Sequence, residues 1–130
     1  MPGKHRRYRG EKLHGWAEAP RGFEQLRSLW PAAFPKENDL VRPLTRGIIR
    51  TIADGTGWSP AYAQGVLSAW KQRVAYCKAV LAFDRRWNLN GEKTDEAISD
   101  EAREMARTKL ARVIARQEAK ARASETVAAQ

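Results

Sequence analysis

The sequence predicts a mostly α-helical domain of the α+β class, with a compact helical body, one short β-hairpin and a long C-terminal helix. Three observations predict it. Apolar residues recur at three- and four-residue spacing along most of the chain, and proline and glycine punctuate those stretches where helices would start and stop. The period drops to two only once, ahead of the pair Asn90-Gly91, a turn signal between two short strands. At 130 residues the chain fits one domain with one modest core.

Residues 1–19 are polar and contain three glycines. They predict a basic flexible arm in which Trp16 is the one large apolar group. From Gly22, Phe23, Leu26, Leu29 and Trp30 share one helix face, and Pro31 ends it. A proline-rich turn then offers Phe34 to the core. Pro43 can occupy a first helical turn, where its missing N–H costs nothing. A helix from Pro43 to the glycines near residue 57 would bury Leu44, Ile48, Ile49 and Ile52. Ser59 followed by Pro60 is an N-cap signature, and the helix it opens has Tyr62, Val66, Ala69 and Trp70 inward, with Ala63 and Gly65 permitting close approach. A shorter helix carries Val74, Cys77, Val80 and Leu81. In the strand after Phe83, Trp87 and Leu89 share one face while Arg86 and Asn88 share the other, which predicts an inward Trp87 and an outward Arg86. Asn90-Gly91 predicts a type I′ turn. Ser99 or Asp100 caps the last helix, with Glu101 in its first turn. Its stripe of Ala102, Met105, Ala106, Leu110, Val113 and Ile114 fades after Ala115. The expected organisation is therefore an arm over 1–19, a folded domain over 20–115 and a frayed basic tail over 116–130.

Charge narrows the partner. Lys and Arg number 24 against 15 Asp and Glu, a formal net charge of +9. The excess sits in blocks, because residues 42–86 hold eight basic side chains against two acids and residues 103–122 hold seven against two. Nucleic acid or an anionic membrane surface is the natural partner for a polarised basic surface of this kind. No run of 18 apolar residues predicts a membrane span, and the basic N-terminus leads into no apolar signal region. Cys77, His5 and His14 make neither a disulfide framework nor a structural zinc site, so no cofactor is expected and the compartment is a reducing cytoplasm. Both histidines lie in the predicted arm, no phosphate-binding glycine motif occurs, and carboxylates avoid the basic centre, so no enzyme is expected.

Single-stranded nucleic acid asks for cations and for planes on which bases stack. Tyr76, Arg73, Lys78, Arg85 and Arg86 supply both within fourteen residues. The tryptophans Trp30, Trp58, Trp70 and Trp87 occupy apolar positions and read as core. Tyr76, one residue from Cys77, reads as pointing partly off the buried stripe.

The segments LWPAAF, RPLTRGIIRTIA, Ser59 opening a helix, AYCKAV and RRWNLNGE resemble, in this order, the ProQ/FinO domain of bacterial RNA chaperones. The most specific parts are Arg42–Ile48 and Arg86–Gly91, and the resemblance spans Gly22 to Leu110. It implies a small helical domain with a short hairpin that binds structured RNA without catalysis. The RNAs implied are small regulatory or antisense RNAs and mRNA 3′ ends, held at the base of a terminator-like hairpin and along the single-stranded 3′ tail. By the same resemblance Tyr76 and Arg86 fall on the family's pocket tyrosine and arginine. The helix start at Ser59 falls where backbone N–H groups meet duplex phosphates, as helix N-termini generally do. The chain departs from the family at Thr45 and Pro60, where lysine is common, at Gln64, where arginine is common, at Phe83-Asp84 and at Asn88. Arg46, Arg50 and Arg73 would compensate for the missing cations. The residues expected to touch RNA are thus Tyr76, Arg86, Arg46, Arg50, Arg73, Lys78, Arg42, Ser59, Lys71 and Arg85, in a monomeric protein with no membrane partner. Two other readings compete. A helical DNA-binding transcriptional regulator would read bases with Gln64, Ser68 and Lys71, and a protein-interaction module would pair through the C-terminal helix.

Overall fold

A computed structural model describes residues 19–129, with side chains for residues 20–125. The predicted arm, with Trp16 and both histidines, lies outside the described residues except for Ala19. Helix α1 (Ala19–Leu29) opens with Pro20 in its first turn, where no N–H is needed. Leu26 is fully buried, Phe23 packs beside it, and Leu29 turns to solvent instead of joining the core. Trp30, beyond the helix end, lies over Gly55, where a Cβ would come within 2.7 Å of the indole. Phe34 plugs the core as its sequence context predicts, and a short 3-10 turn follows at Asn38–Leu40.

The predicted helix from Pro43 does not begin there. Pro43 to Thr45 run extended, Leu44 pairs in parallel with Trp87, and the helix α2 spans only Ile49–Thr56. The Trp87 N–H donates to the Pro43 carbonyl at 2.7 Å and the Thr45 N–H donates to the Trp87 carbonyl at 3.0 Å. Gly47, at φ 74°, then swings the chain into α2. A helix over Pro43–Ile48 would strip Trp87 of these partners, so a long-range pairing overrides the local periodicity. Leu44, Ile48 and Ile52 are nonetheless buried.

Helix α3 (Pro60–Lys71) starts as predicted, with the Ser59 hydroxyl accepting from the Tyr62 N–H at 3.1 Å and Pro60 at the first position. Its four predicted inward residues are all buried, and Trp70 receives the edges of Phe23 and Phe34 at centroid distances of 5.1 and 5.2 Å. Helices α1, α2 and α3 pack on one another; α4 (Val74–Ala82) lies mainly against the C-terminal helix α5 (Asp100–Ala129).

Between α4 and α5 run β1 (Arg85–Trp87) and β2 (Lys93–Ala97), antiparallel, with Trp87 opposite Lys93, Arg85 opposite Ala97 and an irregularity between. Their turn is not type I′, since Gly91 has φ 85° and no residue other than glycine has a positive φ among the described residues. The Gly91 N–H donates to the Asn88 carbonyl and the Asn88 N–H to the Glu92 carbonyl. This is a three-residue loop closed by a left-handed glycine. The Asn88 carboxamide fixes it, with Oδ1 accepting from the N–H groups of Asn90 and Glu92 and Nδ2 donating to Glu92.

Alternation along β1 holds, but the buried side is the unexpected one. Arg86 is 6% exposed, while Trp87 is only half-buried, braced by Phe83 at 5.0 Å and by Arg42 and Lys93 over its ring. Lys93, Asp95 and Ala97, on the Trp87 face of the ribbon, are exposed, and it is the Arg86 face that turns inward, so alternation alone does not tell inside from outside. The Ser99 hydroxyl accepts from the Ala102 N–H and caps α5. Ala106 is buried against the core with Ala102 and Leu110 beside it, whereas Met105 and Ile114 of the predicted stripe are exposed. The helix is continuous to Ala129, where the sequence predicts fraying from residue 116.

The turn makes a testable distinction. Gly91→Ala introduces a left-handed non-glycine residue and a Cβ 2.6 Å from that of Ala32, and should cost about 2 kcal/mol or more. Asn90→Ala should be near neutral in the same urea titrations, because Asn90 keeps a negative φ; a large loss there would restore the type I′ turn.

Candidate nucleic-acid interface

The last turn of α3, the inner face of α4, β1 and the first half of α5 enclose a cleft. It is lined by Lys71, Tyr76, Cys77, Val80, Arg86, Ala102, Met105, Ala106 and Lys109 and has a volume of about 190 Å³. A compact space of that volume is about 7 Å across, too narrow for a nucleic-acid duplex, whose major groove alone is about 12 Å wide.

Tyr76 and Arg86 do meet here. Tyr76 does not turn off the buried stripe, however: it is 5% exposed, and its hydroxyl accepts the Leu44 N–H at 3.0 Å. Arg86 Nη1 donates to the Leu44 carbonyl at 3.0 Å. Its Nε lies 3.2 Å from Glu96 Oε2, an ion pair whose angle falls short of a hydrogen bond. Thr94 secures the Arg86 backbone by donating to its carbonyl at 2.7 Å. Burial raises the phenol pKa above its usual value, an effect that the Leu44 hydrogen bond and the Arg86 charge oppose. Burial also raises the Cys77 thiol, with Lys109 pulling the other way. Cys77 Sγ meets the Lys71 carbonyl at 3.8 Å, so it is a packed thiol.

Lys71 is the cation that the cleft holds at a cost. Burial lowers its pKa, the positive charges of Arg86 and Lys109 lower it further, and Glu96 only partly compensates. Glu96 also accepts the Arg46 backbone N–H at 3.2 Å and faces Arg46 Nε at 3.8 Å. The Arg46 side chain is 68% exposed, so that pair contributes little and the guanidinium stands at the rim of the cleft.

The Arg46-Gly47 turn leads to a second hollow, lined by Gly47, Ile49, Arg50, Ala53, Asp54, Trp58 and Pro60, at the N-terminus of α3. Ser59 takes the Tyr62 N–H with its hydroxyl and the Ala63 N–H with its carbonyl, and Pro60 has no N–H, so what this end offers a ligand is the Ala61 N–H and the helix dipole, with Arg50 in the same hollow.

Other predicted residues are placed differently. Arg42 donates to the carbonyls of Asp39 and Val41 and sits 4.7 Å over the Phe83 ring. Arg73 donates to Asn38 and covers Trp70 at 4.4 Å, and burial lowers its pKa, with Arg27 adding to the effect. Both are braces. Lys78 is exposed on α4, and Arg85, half-buried on β1, does not line the cleft. Lys109 and Met105 were missed, although the small-residue stripe Ala102-Ala106 places Met105 and Lys109 on the adjoining face of α5.

A family profile described as ProQ/FINO family matches residues 19–123. Among solved structures, the chain is similar to a ProQ homologue from Legionella pneumophila, at TM-score 0.54 and 22% identity over 68% of this chain and 76% of that one. It is also similar to a FinO-like RNA chaperone from Neisseria meningitidis MC58, at TM-score 0.54 and 18% identity over 85% of this chain and 90% of that one. At these identities the likeness establishes a shared fold. No curated protein matches the chain.

Two predictions follow from the cleft's interior. Tyr76→Phe leaves the buried Leu44 N–H without its acceptor and should cost about 1–3 kcal/mol, read from urea unfolding. Lys71→Met keeps the stem and removes the charge, so it should raise the melting temperature at neutral pH. Because the folded-state pKa of Lys71 is lowered below 10.5, the wild type's deficit is full below that folded value. It vanishes as pH climbs from there to 10.5. A deficit that grows with pH would contradict this placement of Lys71.

Proposed function

The chain belongs to the ProQ/FINO family, and from that premise we propose that it is an RNA-binding chaperone acting in post-transcriptional regulation, without catalytic activity. Its ligands are structured RNAs, namely small regulatory or antisense RNAs and mRNA 3′ ends. The single-stranded 3′ tail enters the cleft of Lys71, Arg86, Lys109 and Tyr76, and the base of the hairpin rests on the α3 N-terminus with Arg50. The observation that carries this reading is the convergence of three cations and a phenol in a hollow too narrow for a duplex. That hollow is joined by Arg46-Gly47 to a second one whose walls include a helix N-terminus. A-form RNA hides its bases in a deep groove, so recognition by shape, phosphates and unpaired nucleotides is the mode this geometry suits. The protein works as a monomer in the cytoplasm.

The DNA-regulator reading needs an exposed reading face on α3. Gln64 there donates to Ser68 at 3.1 Å, and Lys71 faces the cleft, so two of the three nominated readers are engaged with each other and the third points elsewhere.

Lys71→Ala with Lys109→Ala should weaken binding to a hairpin bearing a 3′ uridine tail in a filter-binding titration. The slope of log K against log salt should fall by about 0.7 for each lost contact to a single strand. Undiminished affinity in the double variant, or equal wild-type affinity for duplex DNA, would sink the assignment.

A further inference from the structure

Helix α5 carries charge that the cleft does not use. Lys109 ends the cleft wall, and Arg112, Arg116 and Lys120 follow it at spacings of three, four and four residues. At 3.6 residues per turn these four fall within about 80° of arc. Arg112, Arg116 and Lys120 are exposed and have no hydrogen bond or ion pair among the described residues. Glu104, Glu118 and Glu125 lie about 140° or more from Lys109 around the same helix. Glu101 and Glu104 line, with Lys109 and Arg112, the hollow where the cationic row begins, and Glu104 is paired there with Arg107 at 3.0 Å; Glu118 and Glu125 lie about 120° or more from each of Arg112, Arg116 and Lys120. A helix made merely soluble tends to mix its signs at i and i+4; α5 does so where Glu104 pairs with Arg107, but Arg112, Arg116 and Lys120 have no acid three or four residues away.

The helix also outruns its docking. Every residue from Ile114 to Glu125 is exposed, yet the segment stays helical, and a helix without tertiary packing is marginal in water. Solvation alone gives no reason to extend it past the core. From Lys109 to Lys120 the row is about 17 Å long, enough for at most about five phosphates at the 3.4 Å spacing of a stacked strand.

We infer that this face of α5 is a phosphate rail, continuous with the cleft, that holds single-stranded RNA nucleotides beyond those the cleft accommodates. The inference rests on the RNA reading above. A single row of cations leaving a hollow too narrow for a duplex matches one sugar–phosphate chain.

The test compares Arg112→Ala/Arg116→Ala with Arg107→Ala/Arg122→Ala, which removes equal charge from the other side of α5. Alanine favours helix, so neither pair should unfold it. Each protein is titrated against one RNA hairpin bearing a 3′ uridine tail of about four or about ten nucleotides, within the range of single-strand sites. Wild type and the control pair should bind the longer tail more tightly and with a steeper salt dependence. The rail pair should match the control on the short tail and fail to gain on the long one, its salt slope lower by about 1.4. The rail is overturned if both pairs respond alike to tail length, or if the wild type gains nothing from the longer tail. Failure of the RNA reading looks different, since the wild type would then bind neither hairpin more tightly than duplex DNA, and the rail would fall with it.

Discussion

The concave side of this domain depends on how the peptide groups of Leu44 are satisfied. Leu44 pairs in parallel with Trp87, and in that geometry the bonds to β1 run through the neighbouring groups, Pro43 C=O and Thr45 N–H. The N–H and C=O of Leu44 itself therefore point away from β1, as on the open edge of a sheet, but at a fully buried residue. A buried peptide without partners is costly. The Tyr76 hydroxyl takes the N–H and the Arg86 guanidinium supplies the C=O. Two side chains thus replace a further strand and tie together the Pro43–Thr45 segment, α4 and β1. The same bonds fix a phenol and a guanidinium in the wall of the cleft. Arg86 thus serves the fold through Leu44 and is already paired with Glu96, so what it adds to the cleft is mainly its charge.

That double use has an electrostatic consequence. Lys71, Arg86 and Lys109 face one small space with Glu96 as the nearest acid, and Lys71 shows the strain in its lowered pKa. Like charges held together in a half-buried cleft destabilise the free protein and are relieved by a polyanion. Such a concentration of cations is expected where a binding site has been retained at the expense of stability. It also separates two kinds of loss on mutation. Changes at Tyr76 or Arg86 disturb the fold and the cleft together, whereas changes at Lys71 or Lys109 touch mainly the field.

Local signals in the sequence carried much of the architecture. The Ser59-Pro60 cap, the inward stripe of α3, Phe34 and the start of α5 all follow from neighbours within a turn or two, and all are present. Most of the misreadings share one cause, which is partners distant in sequence; the turn, set by the nearby Asn88, is the exception. Pro43 to Ile48 has helical periodicity, but its pairing partner is Trp87, more than forty residues away. Arg86 alternates with Trp87 as expected, yet the side that is deeper is decided by Leu44, Tyr76 and Glu96 on one face and by Arg42 and Phe83 on the other. In the turn, Asn90-Gly91 signals a reversal but not its length, because the Asn88 side chain selects the three-residue loop. Lys109 joined the site only through the docking register of α5.

The basic residues divide by what their side chains touch, and a count of charge does not show the division. Arg42 lies over Phe83 and Arg73 over Trp70, each with its guanidinium engaged by a carbonyl or carboxamide oxygen. Stacked guanidinium groups of this kind cover apolar surface and hold loops, and moving them to a phosphate would break those contacts. Phe83 supplies the platform that keeps Arg42 in place. Lys71, Arg86 and Lys109 line the cleft, Arg46 stands at its rim and Arg50 lines the neighbouring hollow. Among the basic residues between Arg42 and Lys109, the positive field not tied up in such contacts therefore comes mainly from side chains around the cleft and its rim. A formal charge of +9 becomes a directed one because part of it has been converted into mortar.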